Sequence, residues 1–216
     1  HGTSGCLGRR FVALNRERLT EARRQLAVMA QGTRRVPWAI FLCCRHRWQD
    51  EGKGAPIEDY AVLSDCRAAA LVSREGSIDW LCLPRFDSPS LFGALLGDER
   101  HGRWRLRPTD PEATATRAYE GDCFVLHTRW TTATGVAEVI EFMPHDEHTD
   151  IVRRIRGVEG HVEFEVELRV RPDYARSMPW MRQVGTDDEP ALVAIAGPDA
   201  IVVRGELDAR FASAFD

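Results

Sequence analysis

Between residues 162 and 169, Val162, Phe164, Val166 and Leu168 alternate strictly with Glu163, Glu165, Glu167 and Arg169. A period of two places one set on each face of an extended chain, so the segment is predicted as a half-buried strand with its glutamates in solvent. A helix, at 3.6 residues per turn, would spread both sets around its circumference. The same texture runs from residue 55 onward, where short β-branched and aromatic runs alternate with Gly, Pro and Asp. Residues 68–73 and 78–83 flank Arg74-Glu75-Gly76-Ser77, and residues 123–132 and 136–143 flank Thr134-Gly135. Residues 151–156 and 161–170 flank Gly157-Val158-Glu159-Gly160, and residues 192–196 and 200–204 flank Gly197-Pro198-Asp199. Each of the four reads as a hairpin. Residues 102–107 add a strand, residues 90–96 a short helix closed by Gly97, and residues 84–89, bounded by two prolines, a loop. About eight or nine strands paired with their sequence neighbours, and little helix, predict an all-β antiparallel β-sandwich.

Charge divides the chain. Residues 1–54 carry 11 Lys and Arg against 4 Asp and Glu, whereas residues 55–216 carry 18 against 29. Two segments are therefore expected: a basic N-terminal extension over 1–54, partly helical or disordered, and a β-sandwich over 55–216. Residues 15–30 place Leu19, Ala22, Leu26 and Met29 at helical spacing. The apolar run 36–44 follows a basic cluster as in a signal peptide, but Pro37 interrupts it, and Arg45 and Arg47 stand where small residues would be cleaved. At nine residues it falls far short of the ~20 a membrane helix needs. The arginines follow no nucleic-acid-binding pattern. Neither membrane nor nucleic acid is expected as a partner. Three cysteines in the acidic segment, Cys66, Cys82 and Cys123, argue against a disulfide framework and for a reducing, cytoplasmic setting.

The densest grouping of aromatic, cationic and carboxylate side chains is Asp79-Trp80 with Arg85-Phe86-Asp87. Ring faces suit the CH-rich side of a sugar, and Asp and Arg suit its hydroxyls. The competing reading puts Trp80 in the core and pairs Arg85 with Asp87 inside a tight loop. His145, Asp146, Glu147, His148 and Asp150 crowd one turn, but their spacing matches no zinc or calcium loop, and a solvated turn is expected. Phosphate-binding, nucleophile-elbow and zincin patterns are all missing from the sequence, so no cofactor and no metal are expected.

Several motifs then fall in a familiar order. Pro56-Ile57-Glu58-Asp59-Tyr60-Ala61, Ser64-Asp65-Cys66-Arg67-Ala68 and the run from Gly76-Ser77-Ile78-Asp79-Trp80 to Pro84-Arg85-Phe86-Asp87-Ser88-Pro89 resemble the N-terminal domain of bacterial trehalase-like and glucoamylase-like enzymes of glycoside hydrolase family 15. The similarity continues through His101-Gly102-Arg103-Trp104, Tyr119-Glu120-Gly121-Asp122, Glu141-Phe142-Met143-Pro144 and Arg171-Pro172-Asp173-Tyr174. It implies a supersandwich-like β-domain packed on a C-terminal (α/α)6 barrel that hydrolyses α-glucosides, such as trehalose or malto-oligosaccharides, with inversion. The family's two catalytic glutamates lie in the barrel. No catalytic residue is therefore assigned here, and the sandwich is expected to be non-catalytic, inactive alone and truncated at its C-terminal end. On this reading Asp79, Trp80, Arg85, Phe86 and Asp87 meet substrate or the domain interface. The alternatives are a stand-alone carbohydrate-binding or scaffolding module, or a truncated product without activity.

Overall fold

The computed structural model describes residues 9–14, 55–186, 190–197 and 199–204. Among them the only helical elements are single 3-10 turns at Ile57–Asp59, Ala94–Leu96 and Glu99–His101; everything else regular is strand. The strands are β1 (Arg9–Leu14), β2 (Ala61–Ser64), β3 (Ala69–Val72), β4 (Ser77–Cys82), β5 (Ser90–Phe92), β6 (Arg103–Pro108) and β7 (Thr114–Tyr119). They continue as β8 (Leu126–Thr131), β9 (Gly135–Phe142), β10 (Ile151–Gly160), β11 (Phe164–Arg169), β12 (Trp180–Gly185), β13 (Pro190–Ala196) and β14 (Asp199–Arg204). One sheet runs β12-β13-β14-β1-β10-β9-β8-β7; the other runs β11-β6-β4-β3-β2, with β5 on the end of β4. All pairings are antiparallel. The fold is all-β, as the alternation predicts.

The sheets bury a shared core: Leu63, Val72, Ile78, Leu81, Phe92 and Trp104 of the smaller sheet meet Leu126, Ile151, Leu192, Ile201 and Val203 of the larger. Burial of such side chains against each other, at roughly 25 cal/mol per Å² of apolar surface, is what holds two sheets face to face. Within it lies one fully buried ion pair. Glu141 and Arg153 stand directly opposite on β9 and β10, and Arg153 Nε donates to Glu141 Oε1 at 2.8 Å. The guanidinium also crosses to the other sheet, donating from Nη1 to the Trp104 carbonyl at 2.7 Å and from Nη2 to the Gly76 carbonyl at 2.6 Å. It lies 5.2 Å from the Trp104 ring centroid. Burial pushes the Glu141 carboxyl up and the Arg153 guanidinium down, each restrained by the other's charge. Farther along, Arg117 of β7 donates to the carbonyls of Val72 and Asp59 at 3.1 and 2.7 Å. The Tyr119 hydroxyl accepts from Val62 N–H and donates to Val62 C=O, so the edge of β2 is bridged to β7.

Three of the four predicted hairpins form, as β3/β4, β8/β9 and β13/β14. The third does not. Residues 157–160 lie within β10, where the ladder with β9 shifts register between Gly157 and Glu159, and β11 crosses to the other sheet to pair with β6. The glycines serve a continuous strand rather than a turn: Gly157 borders the bulge, and Gly160, at φ +62° and paired with Gly135, allows a close approach, since a Cβ there would meet the Thr134 carbonyl oxygen at 2.2 Å. The helix expected over 90–96 is instead strand β5 followed by one 3-10 turn, closed as expected by Gly97 N–H on the Ala94 carbonyl. Glu167, expected in solvent, is only 9% exposed, because it lies opposite Arg105 and beside Arg103, whose Nη2 bonds it at 2.8 Å. Long arginine stems cover it.

The basic segment also contributes to the sheet: β1 fits between β14 and β10, so strand pairing does not begin at residue 55. The helix expected at 15–30, the apolar run 36–44 and the strand expected from Asp208 lie outside the described residues. No helix among the described residues is long and apolar enough to cross a membrane.

Candidate functional site

Strand β4 sets the site. Its pairing with β3 steps from Trp80 opposite Leu71 to Ile78 opposite Val72, which leaves Asp79 as the extra residue of a bulge. Ile78 and Leu81 are both in the core, whereas Asp79 and Trp80 between them are half-buried. Asp79 is half-buried and accepts two hydroxyl donors, Tyr60 on Oδ2 at 2.8 Å and Ser77 on Oδ1 at 2.5 Å. Burial raises its carboxyl above the ordinary range; the two hydroxyls and the charges of Arg103 and Arg153 work against that rise. The Tyr60 hydroxyl is itself pushed up by burial and by the Asp79 carboxylate.

Trp80 packs against Tyr174, ring centroids 6.2 Å apart and planes at 46°. Tyr174 owes this position to three consecutive residues with positive φ, Asp173, Tyr174 and Ala175, at 54°, 55° and 63°. Left-handed backbone costs an L-residue roughly 1–2 kcal/mol. Ser90, itself buried, holds the turn: its carbonyl accepts from Asp173 N–H at 2.9 Å and its Oγ from Tyr174 N–H at 3.0 Å.

Arg85, Phe86 and Asp87, in the loop between β4 and β5, have partners of their own. Arg85 chelates Asp87 through Nε at 2.9 Å and Nη2 at 3.2 Å, and the two side chains are 70% and 72% exposed. Phe86 is 59% exposed, while its N–H donates to the Arg67 carbonyl at 3.0 Å. Two further loops gather here. Asp65 caps Arg67 N–H and Ala68 N–H with Oδ1, His145 Nδ1 meets the Asp65 carbonyl at 3.0 Å, and Thr149 Oγ1 donates to the Pro84 carbonyl at 3.3 Å. An exposed apolar ring next in sequence to an exposed, bidentate charged pair is thus carried on a loop braced by residues 65–68 and 145–149.

The sequence grouping therefore divides into a shelf, Asp79-Trp80, and a loop, Arg85-Phe86-Asp87. Tyr60, Ser77, Ser90 and Tyr174 were not singled out from the sequence, although Tyr60, Ser77 and Tyr174 all lie in motifs that carry the family resemblance. His145, Asp146 and Glu147 are exposed, as expected of a solvated turn, and no three His, Cys, Asp or Glu among the described residues converge on a metal position.

Between β5 and β6, Asp98 caps the turn Glu99–His101, accepting from Arg100 N–H at 2.9 Å and from Arg100 Nη2 at 2.6 Å. The Arg100 side-chain bond is the main reason its carboxyl is lowered to about 2. A depressed carboxylate stabilises the fold above its unfolded pKa, and that contribution is lost as pH falls through the folded value. In a carboxyl NMR titration Asp98 should titrate near pH 2, and Arg100→Ala should move the midpoint up toward the ordinary range; an unmoved midpoint would refute the assigned cause.

A family model described as "Trehalase-like, N-terminal" matches residues 44–205. Among curated proteins, the trehalase of Mycolicibacterium smegmatis is 38% identical over 147 residues, covering 58% of this chain and 22% of that protein. The trehalase of Mycobacterium tuberculosis is 43% identical over 101 residues, covering 47% and 15%. Trehalase 1 of Sulfolobus acidocaldarius is 41% identical over 117 residues, covering 53% and 19%. The chain spans about a fifth of the length of these relatives. No solved structure matches it significantly.

Proposed function

We propose a function from the premise that this chain belongs to the trehalase-like N-terminal domain family: it is the non-catalytic β-sandwich of an inverting α-glucosidase. The enzyme is of the trehalase or glucoamylase type, and its chemistry resides in a separate (α/α)6 domain of the kind the family 15 resemblance implies. The observation that carries this reading is the share of the relatives it matches. Proteins named trehalase align with this chain over 15% to 22% of their length, which leaves most of each relative beyond the match. The substrate would be trehalose or a malto-oligosaccharide, and neither a cofactor nor a nucleic acid would take part. The free thiols of Cys66, Cys82 and Cys123 support a reducing, cytoplasmic setting.

In this reading the loop carrying Arg85, Phe86 and Asp87 meets the catalytic domain and helps close the sugar site or braces the interface. An exposed aromatic ring flanked by a bidentate Arg–carboxylate pair is the kind of anchor that interfaces bury.

The 216-residue chain incubated with trehalose or maltose should release no glucose; detectable release would overturn the non-catalytic assignment. In a full-length relative, alanine at the positions matching Arg85 and Asp87 should lower kcat/KM or the melting temperature, with about a tenfold effect on kcat/KM if the loop closes the site. Unchanged kinetics together with unchanged melting would remove the loop from both roles.

A further inference from the structure

We infer that Trp80 and Tyr174, with Asp79 preceding Trp80 in β4, form a pyranose-binding subsite on the sandwich itself, built from other residues than the loop of Arg85 and Asp87. The pyranose chemistry follows from the shelf; the choice of an α-glucoside as its occupant rests on the function proposed above.

Three observations carry the inference. The first is the left-handed backbone of the turn that carries Tyr174. Three successive non-glycine residues stand in the left-handed region, yet the side chain they position, Tyr174, is 46% exposed. An exposed ring recovers little by way of burial, and strain held in place by surrounding structure marks positions where geometry matters for function. Ser90 contributes to that hold by accepting two hydrogen bonds, on its carbonyl and its Oγ, and the turn closes on itself through Ala175 N–H to the Arg171 carbonyl at 3.3 Å and Ser177 N–H to the Pro172 carbonyl at 3.1 Å.

The second is the shape of the shelf. Rings 6.2 Å apart and tilted by 46° offer two inclined aromatic faces, one half-buried and one open. A hexopyranose presents axial C–H groups on its ring faces, and such faces pack on aromatic rings much as apolar side chains do. The β4 bulge at Asp79 interrupts the alternation of β4 and leaves two successive residues, Asp79 and Trp80, half-buried between core positions.

The third is the polar edge. Asp79 has one hydroxyl donor on each oxygen, and each carboxylate oxygen has two acceptor sites, so both oxygens can still accept from a ligand. Tyr60 and Ser77 fix the carboxylate plane from the protein side, which leaves its free lone pairs with a defined direction. Sugar hydroxyls are the complementary donors, and a carboxylate is a stronger acceptor for them than a neutral group.

The test uses the full 216-residue chain with trehalose and with maltose, read by saturation-transfer NMR, with sorbitol as a polyol that lacks a ring face. Saturation should reach the ring C–H protons of at least one disaccharide but not sorbitol, at sugar concentrations up to about 10 mM. Tyr174→Ala, with its far-UV circular dichroism unchanged, should lose most of that transfer, and Tyr174→Phe, which keeps the ring, should retain it. Asp79→Asn should weaken binding by roughly tenfold. Transfer that is equal in the wild type and Tyr174→Ala overturns the inference. So does the absence of transfer from either disaccharide, which would leave the shelf a protein contact. Neither result bears on the non-catalytic reading, which stands or falls on glucose release and on the full-length kinetics.

Discussion

Replacing Arg153 by Met should destabilise the domain by roughly 3–5 kcal/mol, the range for removing one partner of a buried ion pair. Glu141 would then sit fully buried without its cation, and the carbonyls of Trp104 and Gly76 would lose a donor that ties one sheet to the other. Domains of this size have about 5–15 kcal/mol of stability, so the variant would be close to unfolding. The pH dependence gives a second readout. Without Arg153 the Glu141 carboxyl would be raised further, and a raised carboxyl stabilises the fold only below its unfolded pKa, losing that contribution as pH rises through the folded value. The deficit should therefore be smaller at pH 5 than at pH 8 in urea melts. The double variant Arg153→Met with Glu141→Leu should recover part of the loss, since it leaves no unpaired charge. A single-variant cost below about 1 kcal/mol would mean the pair is not the inter-sheet tie described here.

Gly76→Ala should cost roughly 3 kcal/mol, from left-handed strain and a collision with main chain. Gly76 has φ +72°, and a Cβ there would lie 2.4 Å from the Leu106 carbonyl oxygen, part of a strand that cannot swing aside as a side chain can. The shift would also disturb the Gly76 carbonyl, which accepts from both Leu106 N–H and Arg153 Nη2. Gly121→Ala is the control. Gly121 also has positive φ, at +56°, but nothing stands within 4 Å of its would-be Cβ. It should cost only about 1 kcal/mol. Equal losses in the two variants, measured by chemical denaturation, would show that close approach at Gly76 contributes nothing.

Much of the fold was legible because strands and tight turns are written locally. The turn at Gly76 and the alternation through residues 136–143 announce their hairpins without reference to anything distant. The failures share a cause. A glycine-rich stretch such as residues 157–160 signals either a turn or a bulge, and only the partner strand decides which. β7 reads Thr-Ala-Thr-Arg-Ala-Tyr and lies at an exposed edge, so it lacks the apolar alternation that would have revealed it. In β10 the run Ile-Val-Arg-Arg-Ile-Arg puts Ile151, Arg153 and Ile155 on one face and Val152, Arg154 and Arg156 on the other, so period two favours Arg153 inward, but it cannot say which carboxylate on a partner strand meets it.

The site divides along the same line. Asp79 and Trp80 stood out by their adjacency, and the bidentate pairing of Arg85 with Asp87 follows from a tight loop. Tyr60 and Tyr174 could not be assigned to the shelf from the sequence, since they reach Asp79 and Trp80 only across the fold. The sequence by itself determined an all-β fold from residue 55 onward, most of its hairpins and the family motifs, because backbone preference and side-chain alternation act between near neighbours. The tertiary structure alone decided that Arg153 crosses the core, that Glu167 is covered by arginines, and that a left-handed turn brings Tyr174 to Trp80. Those outcomes depend on which strands pair and at what register, and no local preference encodes that choice.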